Sequence, residues 1–459
     1  MSEQRCRVGF FRRAGPRAGA LWLCLLLAGG CGAPARLPPV LTPAAGYPFD
    51  LFRARRLAEK EPQFIAGAAR VRLTPPPGVR IAGHGFNKHS RAVLDDIWAR
   101  VLYLDNGREA AALVSLDLIG LSLPRVERIR QRITREHPES ILIGCTHNHA
   151  GPDTLGLWGP ALLHLLPVRS GADPAYMDWL EEQVARAVVR SALHARPARL
   201  YAGSFTLPKG LIRNLREPAD APREARFLWA ADWDERTIAS LVVFGAHAES
   251  LQDKSRLLSA DFPGVLYREA DAALGGVTLF FSGPAGGMIE PANDPDDPEP
   301  ARLRFRERLG GALAGGLIGE VLSGRVREIP GAELRLRNTT LDLPIQEGGL
   351  IDLARKLSLL DDRPLYAGLL RAEMALLRIG PLSLLTLPGE ATPELGRKLA
   401  GRLLAPIPMV LTVMMDELGY FLTGRQWRDA RFDYERSMSL GPEMEEELLA
   451  GLARLLGEE

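Results

Sequence analysis

Two histidines one residue apart mark the segment CTHNHAGPDT, residues 145–154. His147 and His149 follow the apolar run SILIG and precede a Gly-Pro pair, which is where a buried strand should end. In an extended stretch, residues i and i+2 lie on the same face, so both imidazoles would reach one site. Two desolvated imidazoles on one face need a shared partner, and the pair therefore indicates a metal-binding or proton-transfer site.

Three further apolar runs also end in polar side chains. Ligand sites in α/β folds lie beyond the ends of strands, where the sheet fixes the backbone and the next loop presents side chains. The residues delivered in this way are His247 after IASLVVFGA, Glu390 after LSLLTLPG, and Asp416, Glu417 and Tyr420 after PMVLTVMM. Two imidazoles, one carboxylate and one phenol brought together would suit Zn²⁺, which takes nitrogen and oxygen ligands.

Each of these residues also has a structural interpretation when it is taken alone. His247 is then typical of a hydrogen-bonded turn after a strand, and Tyr420 of a half-buried packing residue. Glu390 precedes the helical pattern ATPELGRKLAGRL and also suits the first turn of a helix, where the dipole favours an acid. His84 and His89, in the segment AGHGFNKHS, are interpreted as turn residues, with the lining of a pocket mouth as the alternative.

The elements that must position these side chains alternate between strand-like and helix-like patterns. The run AALVSLDLIGL, residues 111–121, reads as a buried strand, whereas residues 124–137 and 175–195 have the three- and four-residue apolar spacing of amphipathic helices. This alternation predicts an α/β fold with mixed β-sheets flanked by helices, and a second lobe that begins near residue 331.

The charge balance argues against a nucleic-acid partner. Lys and Arg number 57 against 56 Asp and Glu, and no basic cluster appears in the body of the chain. At 459 residues and 46% hydrophobic content, the chain is large enough for one big domain or two lobes.

The N-terminal residues resemble an export signal rather than part of the fold. Residues 1–30 combine a basic start with a short apolar stretch, and LLAGGC places small residues before Cys31 as a bacterial lipobox does, although Ala28 stands where leucine is usual. Lipidated Cys31 would anchor an exported chain to the cell envelope, on the periplasmic face or the outer membrane, with residues 31–62 as a Pro/Ala-rich tether. The alternative is an ordinary secretory signal with an incidental cysteine. Cys145 is then the single thiol of the body, which excludes an internal disulfide.

At these same positions the sequence resembles the neutral/alkaline, non-lysosomal ceramidase family, which are zinc-dependent amidases that cleave the N-acyl bond of ceramide. The similarity runs in order from about residue 66 to about 440. The stretches that carry it are VRLTPPPGVRIAGHG, THNHAGPDTLG, FGAHAESL with LLSADFPG, LPGEATPELGRKL, and ELGYFLTGRQWRDARFDYE.

The resemblance implies a catalytic domain over residues 63–459 that lacks the immunoglobulin-like C-terminal domain of well-known members. Its metal ligands would fall on four residues, and a zinc-activated water would attack the amide of ceramide or of a related N-acyl lipid. His149 would assist the reaction at the substrate, and either Arg213 or Arg216, in GLIRNLREP, would hold the substrate. The implied zinc ligands are His147, His247, Glu390 and Tyr420.

One segment departs from the family pattern. The family has a serine in a Gly-Asp-Val-Ser-Pro-Asn stretch, but the corresponding FFSGPAGGMIEPAND has Glu290 before the proline, and Ser282 lies too early to be its equivalent. Glu290 is therefore either a general base for the attacking water or a loop acid. The departure keeps two alternatives open: a zinc hydrolase of another N-acyl or ester substrate, and a non-catalytic envelope lipoprotein that retains the fold.

Overall fold

The computed structural model of the chain describes residues 64–134, 137–162, 166–331, 333–346, 350–356, 365–366 and 368–457. All of these residues belong to one compact unit. The predicted signal peptide, tether and lipidated Cys31 lie outside the described residues, so the predicted domain boundaries stay predictions.

Within the described residues the strands, numbered in chain order, are β1 (Phe64–Arg72), β2 (Ala92–Val93), β3 (Trp98–Asp105), β4 (Ala110–Leu116), β5 (Ile141–Cys145), β6 (Ala161–Leu162), β7 (Leu166–Pro167), β8 (Arg196–Thr206), β9 (Ile212–Asn214), β10 (Glu224–Ala231), β11 (Thr237–Phe244), β12 (Leu257–Leu258), β13 (Val277–Ser282), β14 (Ile289–Pro291), β15 (Arg327–Glu328), β16 (Leu334–Leu343), β17 (Leu365–Tyr366), β18 (Leu369–Ile379), β19 (Leu382–Thr386), β20 (Glu390–Ala391), β21 (Ile407–Leu411) and β22 (Tyr420–Phe421). The helices are α1 (Leu123–Ile133), α2 (Pro174–Leu193), α3 (Asp261–Leu274), α4 (Glu299–Leu322), α5 (Leu350–Lys356), α6 (Pro393–Arg402), α7 (Gly424–Trp427), α8 (Asp433–Ser437) and α9 (Met444–Leu456).

The larger sheet is mixed, in the strand order β13-β11-β10-β8-β1-β3-β4-β5 with β15 beside β8. The β4–β5 and β11–β13 pairs are parallel, and the other pairs along this order are antiparallel. Every residue of β4 and β11 is buried, as expected for apolar strands covered on both faces.

The two halves of this sheet fold over on each other. Strand β13 contacts β3, β4 and β5 across the core, and the Ser115 hydroxyl donates a 2.5 Å hydrogen bond to the Phe280 carbonyl. Helices α1 and α2 cover the outer face of one half, and α3 and α4 cover the other, so this part of the molecule has an α/β/β/α layering. The folding-over brings the ends of β5 and β11, which are far apart in the strand order, to the same place.

The predicted helices occur close to their expected positions, and their ends have local causes. α2 begins at Pro174, where the Asp173 carboxylate accepts hydrogen bonds from the Ala175 and Tyr176 amides at 2.9 and 3.2 Å. α1 stops at Ile133, because Thr134 is already extended.

A second sheet, in the order β16-β18-β19-β21 with β17 beside β18, begins at Leu334. Helices α6 and α9 pack against it. The segment after β21 pairs with β5 of the first sheet: the Cys145 amide donates to the Val413 carbonyl at 3.0 Å, and the Met415 amide to the Ile143 carbonyl at 2.7 Å. The two sheets therefore meet beside the histidine pair.

Candidate metal centre

The loop after β5 turns sharply at the first histidine of the pair. His147 has a φ of +57°, in the left-handed region that non-glycine residues rarely adopt. The pair is therefore not in the extended stretch that its spacing predicts. Its rings still lie together, with centroids 5.0 Å apart, because Asn148 bridges to Ala248 and the His149 amide donates to the Ala248 carbonyl at 3.0 Å.

His147 and His247 are held in the same way. The Nδ1 atom of His147 lies 2.8 Å from the Ile119 carbonyl oxygen, and that of His247 lies 2.8 Å from the Ile289 carbonyl oxygen. A carbonyl only accepts, so both rings donate through Nδ1. This arrangement fixes each ring and leaves Nε2 to face a shared partner, as in histidines that bind metals.

The shared partner is the carboxylate of Glu390. Its Oε2 lies 3.3 Å from His147 Nε2 and 2.7 Å from His247 Nε2. Glu390 is in β20 and precedes Thr392, which caps α6, so the acid in the first turn of that helix is Glu394 instead. The interpretation of Glu390 as an acid in the first turn of the helix is therefore wrong, and its side chain contacts the two histidines instead.

The charges of this trio are strongly coupled. Burial favours the neutral form of His247, but the hydrogen bond and charge of Glu390 outweigh burial and raise the pKa of the imidazole to about 9. Burial likewise disfavours the Glu390 carboxylate, but the charges of His147 and His247 hold its pKa well below the usual range. The Glu390 anion is thus stabilised by positive charge on the imidazoles, and a divalent cation bound to the neutral imidazoles would supply that charge in place of the protons.

Tyr420 lies beside this trio. It is paired with Glu390 in the parallel β20–β22 ladder, and both side chains line the same cleft. Its hydroxyl has a weak partner, the Met288 sulfur at 3.8 Å, and burial followed by the charge of Glu390 raises its pKa well above the ordinary tyrosine value. The phenol is therefore neutral and close to the carboxylate.

Of the two acids before Tyr420, one joins the cluster. A carboxylate oxygen of Glu417 and ligand atoms of His147 and Glu390 all lie within 4.8 Å of one another. Glu417 also accepts a hydrogen bond from the Gly419 amide at 2.9 Å. Asp416 is buried and accepts from the Glu417 amide at 2.8 Å, and it belongs to none of the ligand groups formed by the described residues.

His149 differs from the other two histidines of the cluster. Neither of its ring nitrogens has a hydrogen-bond partner in the described part of the chain, although both are buried. Its Nδ1 lies 3.5 Å from Glu249 Oε2, and its ring centroid lies 5.1 Å from that of His84. Burial, followed by the neighbouring histidines, holds its pKa well below the ordinary value, so the ring is neutral. The sequence did not single out Glu249, and the turn interpretation of His84 missed this contact.

The two predicted substrate arginines are both paired with carboxylates. Arg213 Nε donates to Glu290 Oε1 at 2.7 Å across the antiparallel β9–β14 ladder, and Arg216 Nε donates to Glu435 Oε1 at 2.7 Å. Glu290 is thus a buried strand residue rather than a surface-loop acid. Among the described residues that line the cleft, Arg213, Arg216 and Glu290 do not appear, so their catalytic roles stay predictions.

The cluster of His147, His149, His247 and Glu390 opens into a cleft that encloses about 710 Å³ of empty space, the open solvent at its mouth included. Its polar side chains include His147, His149, Glu390, Glu417 and Tyr420. Its apolar side chains are Ile119, Leu155, Leu157, Trp158 and Met438.

Comparison with known proteins identifies the fold. No protein-family model and no curated protein sequence match the chain. The crystal structure of the neutral ceramidase from Pseudomonas aeruginosa superposes with a TM-score of 0.72 at 16% identity, covering 87% of this chain and 75% of that one. A structure described as a ceramidase complexed with C2 gives a TM-score of 0.68 at 16% identity, covering 84% of this chain and 73% of the other. The chain therefore has a neutral ceramidase-like fold, as its motifs predict.

No helix in the described residues is both long enough and apolar enough to cross a bilayer.

Proposed function

We propose that the chain is a zinc-dependent amidohydrolase that cleaves the N-acyl amide bond of ceramide or of a related N-acyl lipid. One observation carries this proposal: the Nε2 atoms of His147 and His247, each fixed through Nδ1 by a backbone carbonyl, converge on the Glu390 carboxylate. The ceramidase-like fold supports the same reaction class.

The donor set fits zinc. Ligand atoms bonded at about 2.0–2.1 Å around a tetrahedral ion lie roughly 3.3–3.4 Å apart. The 3.3 Å separation between His147 Nε2 and Glu390 Oε2 matches that edge, and His247 needs to move back from its 2.7 Å contact by only a fraction of an ångström. Tyr420 would supply the fourth side chain. When bound, the ion would lower the pKa of a water molecule and polarise the scissile carbonyl.

His149 is placed to move the proton that amide hydrolysis must transfer. Its neutral ring lies in the cleft, with buried nitrogens that hydrogen-bond to none of the described residues, so it can accept a proton from the attacking water. Glu249 Oε2, 3.5 Å from its Nδ1, would stabilise the imidazolium that results. The proton then passes to the leaving amine, whose departure requires it.

This scheme uses no serine. Ser282 donates its hydroxyl to the Gly283 carbonyl at 3.1 Å and does not line the cleft within the described residues. The replacement of the family serine segment by GGMIEP favours, as a second candidate, hydrolysis of a different N-acyl or ester substrate at the same centre.

The apolar wall formed by Leu155, Leu157 and Trp158 suits an acyl chain beside the reacting centre. A lipid substrate agrees with the similarity to a ceramidase structure described as complexed with C2. We also propose that the chain is attached to the cell envelope through lipidated Cys31.

Metal analysis and an amidase assay on one preparation test the proposal. The full-length chain should contain tightly bound zinc and release fatty acid from N-acyl sphingosine. His147→Ala should lose that zinc and at least about 10³-fold in kcat/KM, because it removes a fixed ligand. His194→Ala is the matched control, since this exposed histidine lies at the end of α2 with its Nδ1 2.8 Å from the Arg190 carbonyl oxygen and is not part of the cluster. Turnover of N-acyl amino acids but not of ceramide would favour the second candidate. A chain with no bound metal and no activity would refute both.

A further inference from the structure

A second group of metal-binding side chains adjoins the first. Ligand atoms of His84, His149 and Glu249 all lie within 4.8 Å of one another. The three residues come from separate loops, after β1, β5 and β11. Gly83 makes the approach possible, because a Cβ at that position would lie 2.5 Å from the His149 ring.

The group is unusual for the number of polar atoms it leaves unsatisfied. Buried atoms without a hydrogen-bond partner among the described residues are His84 Nε2, both ring nitrogens of His149, and Glu249 Oε1. The Glu249 side chain is only 7% exposed. Each such atom has lost its water without gaining a partner, so several of them in one place indicate a bound ligand.

The chemistry of the group specifies the class of ligand. Two imidazoles and a carboxylate are the donors of zinc and related transition-metal sites. The 3.5 Å separation of His149 Nδ1 and Glu249 Oε2 is close to the roughly 3.3–3.4 Å edge of a tetrahedral zinc site. The Lys88 ammonium acts against a cation near His84, but Asp253 lies 3.7 Å from it and offsets that charge.

We propose that His84, His149 and Glu249 form a second transition-metal site beside the first centre, and that its occupation inhibits the enzyme. A metal bonded to His149 takes the nitrogen lone pair that proton transfer needs. The inhibitory part rests on the proposed function, whereas the binding site itself does not.

Titration of the metal-free full-length chain with Zn²⁺ alone tests the site, with bound metal measured by mass spectrometry after desalting. The wild type should bind two equivalents. His84→Ala and Glu249→Gln should each bind one, whereas His89→Ala should still bind two, because this exposed histidine of the same loop lies outside the group. Titration with Co²⁺ should give two successive visible absorption bands in the wild type and one in His84→Ala.

Activity followed through the same titration tests the inhibition. The wild type should be activated by the first equivalent and then lose at least about tenfold in kcat with the second. His84→Ala should keep, at excess zinc, the activity it has at one equivalent.

The outcomes separate the two proposals. One equivalent in the wild type, lost in His147→Ala but unchanged in His84→Ala and Glu249→Gln, would overturn the second site and leave the proposed function standing. Two equivalents of zinc bound by the wild type, by His84→Ala and by Glu249→Gln alike would also overturn the second site. Two equivalents in the wild type with no amidase activity at any zinc concentration would support the site and refute the proposed function.

Discussion

Two groups of ionisable side chains adjoin at Ile289, and they are built in opposite ways. On one side, the Ile289 carbonyl accepts hydrogen bonds from the His247 amide and from its Nδ1, at 2.9 and 2.8 Å. On the other side, the next residue, Glu290, pairs with Arg213 across the β9–β14 ladder. We call these the histidine centre (His147, His149, His247, Glu390) and the arginine ladder (Arg213, Arg216, Glu290, Glu435).

The arginine ladder is electrostatically closed. Each guanidinium meets a carboxylate at 2.7 Å, so each charge is matched within the protein, and Glu435 Oε2 is the one carboxylate oxygen of this group that is buried without a hydrogen-bond partner among the described residues. The histidine centre is open: two of its three imidazoles share the Glu390 carboxylate, and neither ring nitrogen of His149 makes a hydrogen bond to the described residues. The comparison teaches that burial of charge alone does not mark a site. Several unmatched donors and acceptors gathered in one place do, because a ligand or water must satisfy them together.

Substitution of His149 should give the largest effect on the reaction. His149→Gln keeps a polar side chain of similar reach but cannot carry a proton, so kcat should fall by about 10²–10⁴-fold. Zinc bound at His147 and His247 should remain, since neither ring depends on His149 for its orientation. Steady-state kinetics with parallel metal analysis measure both quantities. Unchanged kcat in a zinc-loaded variant would show that His149 does not carry the proton.

Removal of Arg216 should have a smaller effect, on stability. Arg216→Ala leaves the Glu435 carboxylate, which is 0% exposed, without its partner, and this should reduce the free energy of unfolding by about 3 kcal/mol. Arg213→Ala is the matched comparison: Arg213 is itself 35% exposed, so solvent screens the pair and the loss should be about 1 kcal/mol. Urea denaturation of the three chains measures the difference. Equal losses would mean that burial does not distinguish the two pairs.

The elements could largely be predicted from the sequence, because their apolar periodicity is local. α2 occurs at Pro174–Leu193 against a predicted 175–195. The predicted strand over 111–121 is only Ala110–Leu116, since the chain turns at Asp117, whose buried carboxylate accepts from the Trp98 amide and the Tyr267 hydroxyl at 2.9 Å each.

The candidate ligands could be proposed from the ends of apolar runs, but their surroundings could not. The left-handed turn at His147 depends on backbone pairing between Asn148 and Ala248, one hundred residues apart. His84 and Glu249 reach His149 through tertiary contacts that leave no local pattern. The pairing of Glu290 with Arg213 could not be predicted from the sequence either, because their antiparallel register joins segments 77 residues apart.

Glu290 gives the smallest expected effect and the sharpest contrast between the two regions. If it belongs to the closed ladder, Glu290→Gln keeps an oxygen that accepts from Arg213, and kcat should change by less than about threefold. If instead it is the general base, loss of the carboxylate should lower kcat by at least about 10²-fold. The 2.7 Å contact with Arg213 favours the first result, because it commits a carboxylate oxygen to the guanidinium rather than to an attacking water.

The pH dependence of kcat/KM distinguishes a structural from a catalytic Glu290 when the size of the change in kcat does not. A structural Glu290 leaves the shape of the kcat/KM profile unchanged in Glu290→Gln, even if stability falls slightly. A catalytic Glu290 contributes the acidic limb of the profile, and its replacement by Gln removes that limb. If Glu290→Gln loses the acidic limb but retains zinc, Glu290 belongs to the reacting site. The ion pair of Glu290 with Arg213 must then open when substrate binds.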